Sequence, residues 1–213
     1  MHHTVAVRRR TTLLTALALG LLVAACANDG RTLAPTRPGQ TTTTTGVPVL
    51  GAAGDPVVFT LASAAAADGG ELPVRYTCFG DSVSPPVGWT NIPPETTSLA
   101  LVVRDRDADG FVHWVVTGID PTTEGFSDGG LTEGVVEQVN STGAIGWEPP
   151  CPPEGGGRHI YDLTLYAVQS PIEIDPGLPA DDAAKVVETT PSITASLSLT
   201  VTPPASGVGS TEP

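Results

Sequence analysis

The chain has 213 residues, with 10 Lys and Arg against 23 Asp and Glu, a formal net charge of −13. A surface of that sign repels nucleic acid and anionic lipid headgroups, which excludes both as bulk partners. An anion is held only where donors converge locally.

Residues 1–25 read as an export signal, with Arg8, Arg9 and Arg10 as the charged region and Leu13 to Ala25 as the apolar region. That apolar run is too short and wrongly flanked for a membrane span. It ends in Leu22-Val23-Ala24-Ala25-Cys26, which is similar to a bacterial lipobox and implies cleavage before Cys26 and lipidation of its sulfur. The simpler alternative is an ordinary signal peptide with an incidental cysteine. Removing residues 1–25 takes away three of the ten basic residues and no acidic one, moving the net charge to −16. Residues 26–56, rich in Thr, Pro, Gly and Ala with a run from Thr41 to Thr45, read as a tether from the lipid to the domain. Residues 204–213 have the same character and read as a tail.

Between tether and tail lies one domain, residues 57–203. That length buries roughly two-thirds of the surface its unfolded chain exposes, enough for one core. Strand-like runs rich in Val, Leu, Ile, Thr and Tyr occur at Val57–Ala62, Leu72–Thr77, Ser98–Arg104, Val112–Ile119, Gly134–Asn140, His159–Val168 and Ala195–Thr202. Ala180–Thr189 is predicted helical, with Asp181 and Asp182 in its first turn and Pro191 as the stop. The pattern predicts a mainly β fold of packed antiparallel sheets with one or two short helices. Of the three cysteines, Cys78 and Cys151 remain once Cys26 is set aside, an even pair in an exported protein. They form either a disulfide or two buried thiols.

The most informative stretch is Pro149 to Val168, where a proline turn and a glycine run deliver His159 onto the first residue of a strand. Alternation puts His159, Tyr161, Leu163 and Leu165 on one face, and Ile160, Asp162 and Thr164 on the other. The only other histidine outside the signal is His113, in FVHWVVTGI; alternation there groups His113 with Val115 and Trp114 with Val116. Asp105, Asp107 and Asp109 lie just upstream. They match the first half of a calcium loop, but Val116 stands where the bidentate Glu is wanted and the flanks are strands. Asp105, Asp107, His113 and His159 are ligand types suited to zinc, yet lack a metal-protease spacing. Ser84 sits outside a nucleophile elbow, and Cys151 has no histidine beside it in sequence. Taken singly, either histidine is equally well a structural residue with its hydrogen bonds satisfied.

Taken together, Tyr76–Trp89, Ile92–Gly110, Val112–Val116 and Pro150–Ala167 resemble, in order and spacing, the phosphatidylethanolamine-binding protein family, in particular its bacterial Raf-kinase-inhibitor-like branch. The resemblance implies a small anion pocket formed by Asp105, His113, His159, Tyr161 and the proline turn with Pro152 and Pro153, with no catalytic residue, cofactor or metal. Two imidazoles and a phenol suit an oxyanion, and Asp105 is better placed to orient a histidine than to touch the ligand. Binding is then expected to strengthen at mildly acidic pH.

Three departures from the family pattern stand out. Arg106 and Asp109 replace prolines, which predicts a more mobile loop with an exposed cation. Ile160 replaces an arginine, which predicts a lost contact on the face opposite the pocket. Trp147 and Glu148 replace smaller residues, which predicts a differently shaped mouth.

The sequence therefore points to a lipid-anchored protein on the outer face of a bacterial cell membrane that binds a small anionic ligand or phospholipid headgroup. A protein partner such as a protease is a further expectation. A hydrolase using His113 and His159, and a calcium-binding domain using Asp105, Asp107 and Asp109, are the alternatives.

Overall fold

The computed structural model describes residues 48–51 and 56–205; the signal, Cys26 and most of the tether lie outside the described residues. The elements in chain order are β1 (Pro48–Leu50), β2 (Pro56–Val58), β3 (Thr60–Ala62), a 3-10 turn (Val74–Tyr76), β4 (Val87–Thr90), β5 (Ser98–Asp105), β6 (Val112–Ile119), β7 (Gly125–Phe126), β8 (Val136–Glu137), β9 (His159–Val168), α1 (Ala180–Thr189) and β10 (Ser192–Val201). A five-stranded sheet runs β10-β9-β5-β6-β8, a three-stranded sheet runs β3-β4-β7, and β1 and β2 form a separate pair. All these pairings are antiparallel. The expected fold class is therefore the one observed.

The alternation in β9 and β10 builds the core between the sheets. Tyr161, Leu163 and Leu165 of β9 lie opposite Leu199, Leu197 and Ala195 of β10 on one side, and Asp105, Val103 and Leu101 of β5 on the other. All of these except Asp105 join Leu61, Trp89 and Phe126 of the three-stranded sheet in a single cluster. Trp89 meets Phe126 edge-on at 5.3 Å, and its indole N–H donates to the Thr123 carbonyl at 2.6 Å, so the large ring is buried without an orphaned donor. On the other face of the large sheet, Ala100, Val102, Val112 and Val115 are covered by Ala180, Ala184 and Val187 of α1. Seven of the eight residues of β5 are thus buried, since both of its faces are covered. The helix ends where Thr190, ahead of Pro191, takes an extended conformation, as a residue preceding proline is driven to do.

Several local expectations are corrected. Leu72–Thr77 is a turn, not a strand: Pro73 has no N–H for a ladder, and Thr77 donates from its hydroxyl back to the Val74 carbonyl at 2.7 Å. Only Glu71 keeps an isolated bridge, to Thr200. Val57–Ala62 divides into β2 and β3, which pair with different partners. Gly134–Asn140 contracts to the two residues of β8 plus an isolated bridge between Val139 and Ile145. β4 was not foreseen, because Pro85 and Pro86 directly before it read as loop. β1 lies in the stretch read as tether, and its Val49 is buried against the core.

Candidate functional site

The site forms where β5, β6 and β9 reach the same end of the large sheet, and a break in alternation completes it. The β5–β6 register pairs Val103 with Trp114 but Arg104 with Val112, leaving His113 as the extra residue. Val112 accordingly packs on the helix side of the sheet and Trp114 in the core between the sheets. A bulge of this kind re-aims a side chain. His113 is thereby carried to Tyr161, ring to ring in a T-shape at 5.2 Å, rather than staying with Val115 on the helix face as strict alternation expects. Phe111 packs on the same imidazole at 4.8 Å.

Asp105 is the last residue of β5 and lies opposite Tyr161 in register. One of its carboxylate oxygens accepts from His159 Nδ1 at 2.7 Å, and the other accepts the Asp107 N–H at 2.8 Å. The side chains of His159 and Asp105 are both buried, so the pair is protected from solvent screening. The contact fixes the orientation of the His159 ring. His113 Nδ1 lies 2.8 Å from the backbone carbonyl of Glu148, and the Glu148 N–H donates in turn to the His113 carbonyl at 2.9 Å. A carbonyl only accepts, so His113 holds its hydrogen on Nδ1. Burial lowers the His113 pKa below the usual imidazole range, against the opposing pull of that hydrogen bond and of the Asp105 and Glu148 charges. The ring is therefore held neutral near neutral pH.

Tyr161 lies between the two histidines, stacked on His159 at 6.5 Å. Burial first, then the nearby Asp105 carboxylate, push its phenol well above the usual tyrosine range. Its hydroxyl nonetheless meets no acceptor at hydrogen-bonding geometry and is fully buried. The structure thus brings Asp105, His113, His159 and Tyr161 into one constellation. Pro152 is buried in the adjoining turn and Pro153 is exposed.

Cys78 and Cys151 are disulfide-bonded, with Cα atoms 5.3 Å apart. Beside that bond the Cys78 N–H donates to the Pro150 carbonyl at 3.0 Å. Gly80 is required two residues on, because a Cβ there would collide with the Val74 carbonyl. The proline turn that supplies the Glu148 carbonyl is therefore fastened to a segment about seventy residues away in sequence.

The Arg106 loop differs from expectation. Its guanidinium is half-exposed, as foreseen, but forks onto both oxygens of Asp162 at 2.9 and 2.6 Å. Arg106 N–H donates to the Ile160 carbonyl at 2.8 Å, and the Ile160 N–H to Asp107 at 2.7 Å. The loop is clamped to β9, and an arginine contact exists on the outer face although Ile160 supplies none. Glu148, expected only to shape the mouth, also holds His113 through its backbone carbonyl, a role that leaves no side-chain signal.

The carboxylates of Asp105 and Asp107 are spent on backbone N–H groups and His159. Among the described residues no group of three or more His, Cys, Asp or Glu is placed to hold a metal ion. Cys151 is bonded and has no free thiolate to act as a nucleophile. A broad concavity of about 970 Å³ lies elsewhere, on the three-stranded sheet between Thr60, Gly88, Thr90 and Glu124. None of the predicted site residues lines it, and Glu124 is its only titratable wall residue. Size therefore points to that surface, and chemistry to the buried constellation. A small anion needs directed polar atoms more than volume, so the constellation is the candidate.

The model for phosphatidylethanolamine-binding proteins matches residues 62–202, well over half of the chain. The chain is 39% identical over 184 residues to LppC of Mycobacterium tuberculosis, whose name carries the word lipoprotein, covering 84% of this chain and 89% of that one. It is 38% identical over 128 residues to a UPF0098 protein of Methanothermobacter thermautotrophicus, covering 57% of this chain and 83% of the relative. Among solved structures, E. coli YbcL, described as a new member of the mammalian PEBP family, superposes with a TM-score of 0.64 at 25% identity, covering 68% of this chain and 98% of its own. With its packed antiparallel sheets and its match over residues 62–202, the chain belongs to the phosphatidylethanolamine-binding protein family.

Proposed function

We propose that the domain is a non-catalytic binding module whose site at Asp105, His113, His159 and Tyr161 receives one small anionic group, a phosphate or a carboxylate. The observation that carries this reading is the Tyr161 hydroxyl, buried without a partner between two imidazoles whose Nε2 atoms make no hydrogen bond within the described protein. A buried hydroxyl left unsatisfied is costly, and a ligand oxygen relieves that cost. The family's binding-protein fold supports the same reading. Pro152 and Pro153, in the proline turn that follows Glu148, are expected to contribute to the same site. The module is held by lipid on Cys26 at the outer face of a bacterial cell membrane, a placement supported by the name of LppC. From there it meets a phospholipid headgroup, a phosphorylated ligand or an acidic residue of an envelope protein such as a protease.

Isothermal calorimetry and native mass spectrometry of the full chain test the reading. Inorganic phosphate is expected to bind one to one, more tightly at mildly acidic pH, unaffected by chelator, and to be lost in His159→Ala. Ester and peptide substrates are expected to remain intact. Turnover that disappears in His159→Ala would instead establish an enzyme.

A further inference from the structure

We propose that this site selects anions that bring a proton of their own, hydrogen phosphate or a phosphate monoester, over anions of like charge that bring none, such as sulfate or a phosphodiester. The inference rests on the anion-binding reading of the same site and specifies what the anion must be.

His113 Nδ1 faces the Glu148 carbonyl at 2.8 Å, and His159 Nδ1 faces the Asp105 carboxylate at 2.7 Å. Both partners only accept, so both rings keep a hydrogen on Nδ1. The free Nε2 of a neutral ring in that tautomer is a bare lone pair. Tyr161 then supplies the one hydroxyl hydrogen of the constellation. At His113, which burial holds neutral, a ligand oxygen that is itself only an acceptor meets that lone pair and is repelled. A P–OH group donates into it. Sulfate near neutral pH has no such hydrogen, and neither has a phosphodiester, while hydrogen phosphate and a phosphate monoester monoanion do.

At His113 the route for sulfate is protonation of the ring. The charged and titratable groups facing that ring are Asp105 from β5, Glu148 from the proline turn, and His159 and Tyr161 from β9. The two carboxylates favour its charging and His159 opposes it, but burial dominates and disfavours it. Sulfate is thus admitted only as pH falls, whereas phosphate is admitted already near neutrality. Among lipids and metabolites, the chemistry favours a terminal phosphate over the diester of an intact phospholipid.

Calorimetry on the full chain, at matched ionic strength, compares inorganic phosphate with sulfate near neutral pH, and methyl phosphate with dimethyl phosphate below the second phosphate pKa of about 6, where the monoester is a protonated monoanion. The protonated member of each pair is expected to bind about ten- to a hundred-fold more tightly, the value of one buried hydrogen bond made instead of a buried mismatch. The sulfate deficit is expected to shrink on acidification. Sulfate and phosphate binding equally well near neutrality would overturn the selectivity while leaving the anion site standing. Binding of neither would overturn both. Long-range proton–nitrogen NMR of the free protein gives an independent check. It is expected to show His113 protonated on Nδ1 with Nε2 bare, and a hydrogen found on Nε2 alone overturns the proposal.

Discussion

Replacing Cys78 and Cys151 together by serine is expected to lower the free energy of unfolding by about 4 kcal/mol, the loop entropy of releasing a cross-link that closes some seventy residues. For a domain of this size the melting temperature should fall by roughly 8–16 °C. The effect reaches the site because the bond holds the turn that carries Glu148, and Glu148 anchors His113 on both its N–H and its carbonyl. Phosphate affinity should therefore weaken several-fold under conditions where the variant is still folded. Urea denaturation and calorimetry on the wild type, on the variant and on dithiol-treated wild type measure both quantities. An unchanged midpoint would show that the bond does not constrain the unfolded chain.

Tyr161→Phe is expected to move stability and binding in opposite directions. The hydroxyl is buried with no partner, so removing it relieves an unsatisfied polar group and should raise stability by about 1 kcal/mol. The same hydroxyl is the donor offered to a bound anion, and a hydrogen bond to a charged group contributes about 1.5–3 kcal/mol, so phosphate affinity should drop about ten- to a hundred-fold. A residue kept only for packing would lose stability or change nothing on this substitution. Stability and affinity both falling would mean that the hydroxyl has a structural partner after all.

Much of this site was legible in the chain because β9 alternates without interruption. His159 and Tyr161 sit two apart on a strand whose other face is Ile160, Asp162 and Thr164, so their shared direction follows from the pleat alone. Asp105 was legible only through the family motif, and its bond to His159 depends on the β5–β9 register, which joins residues 54 apart. His113 resisted a reading by pattern. The alternation that placed His159 correctly placed His113 on the helix face, since nothing in Val112-His113-Trp114 announces the bulge. The Arg106 loop misled for a related reason: two missing prolines suggested mobility, while the compensating clamp comes from Asp162 on another strand. Strands of two or three residues such as β1 and β7 were obscure because so short a run carries no period.

One anion is expected to meet His113, His159 and Tyr161 at once. Proton NMR of the four histidines of the full chain, assigned with His113→Gln and His159→Gln, tests it most directly as inorganic phosphate is added. The account predicts that the ring signals of His113 and His159 shift together along one saturable curve with a single midpoint, while His2 and His3 stay still. Saturable phosphate binding that leaves both His113 and His159 unmoved would contradict it.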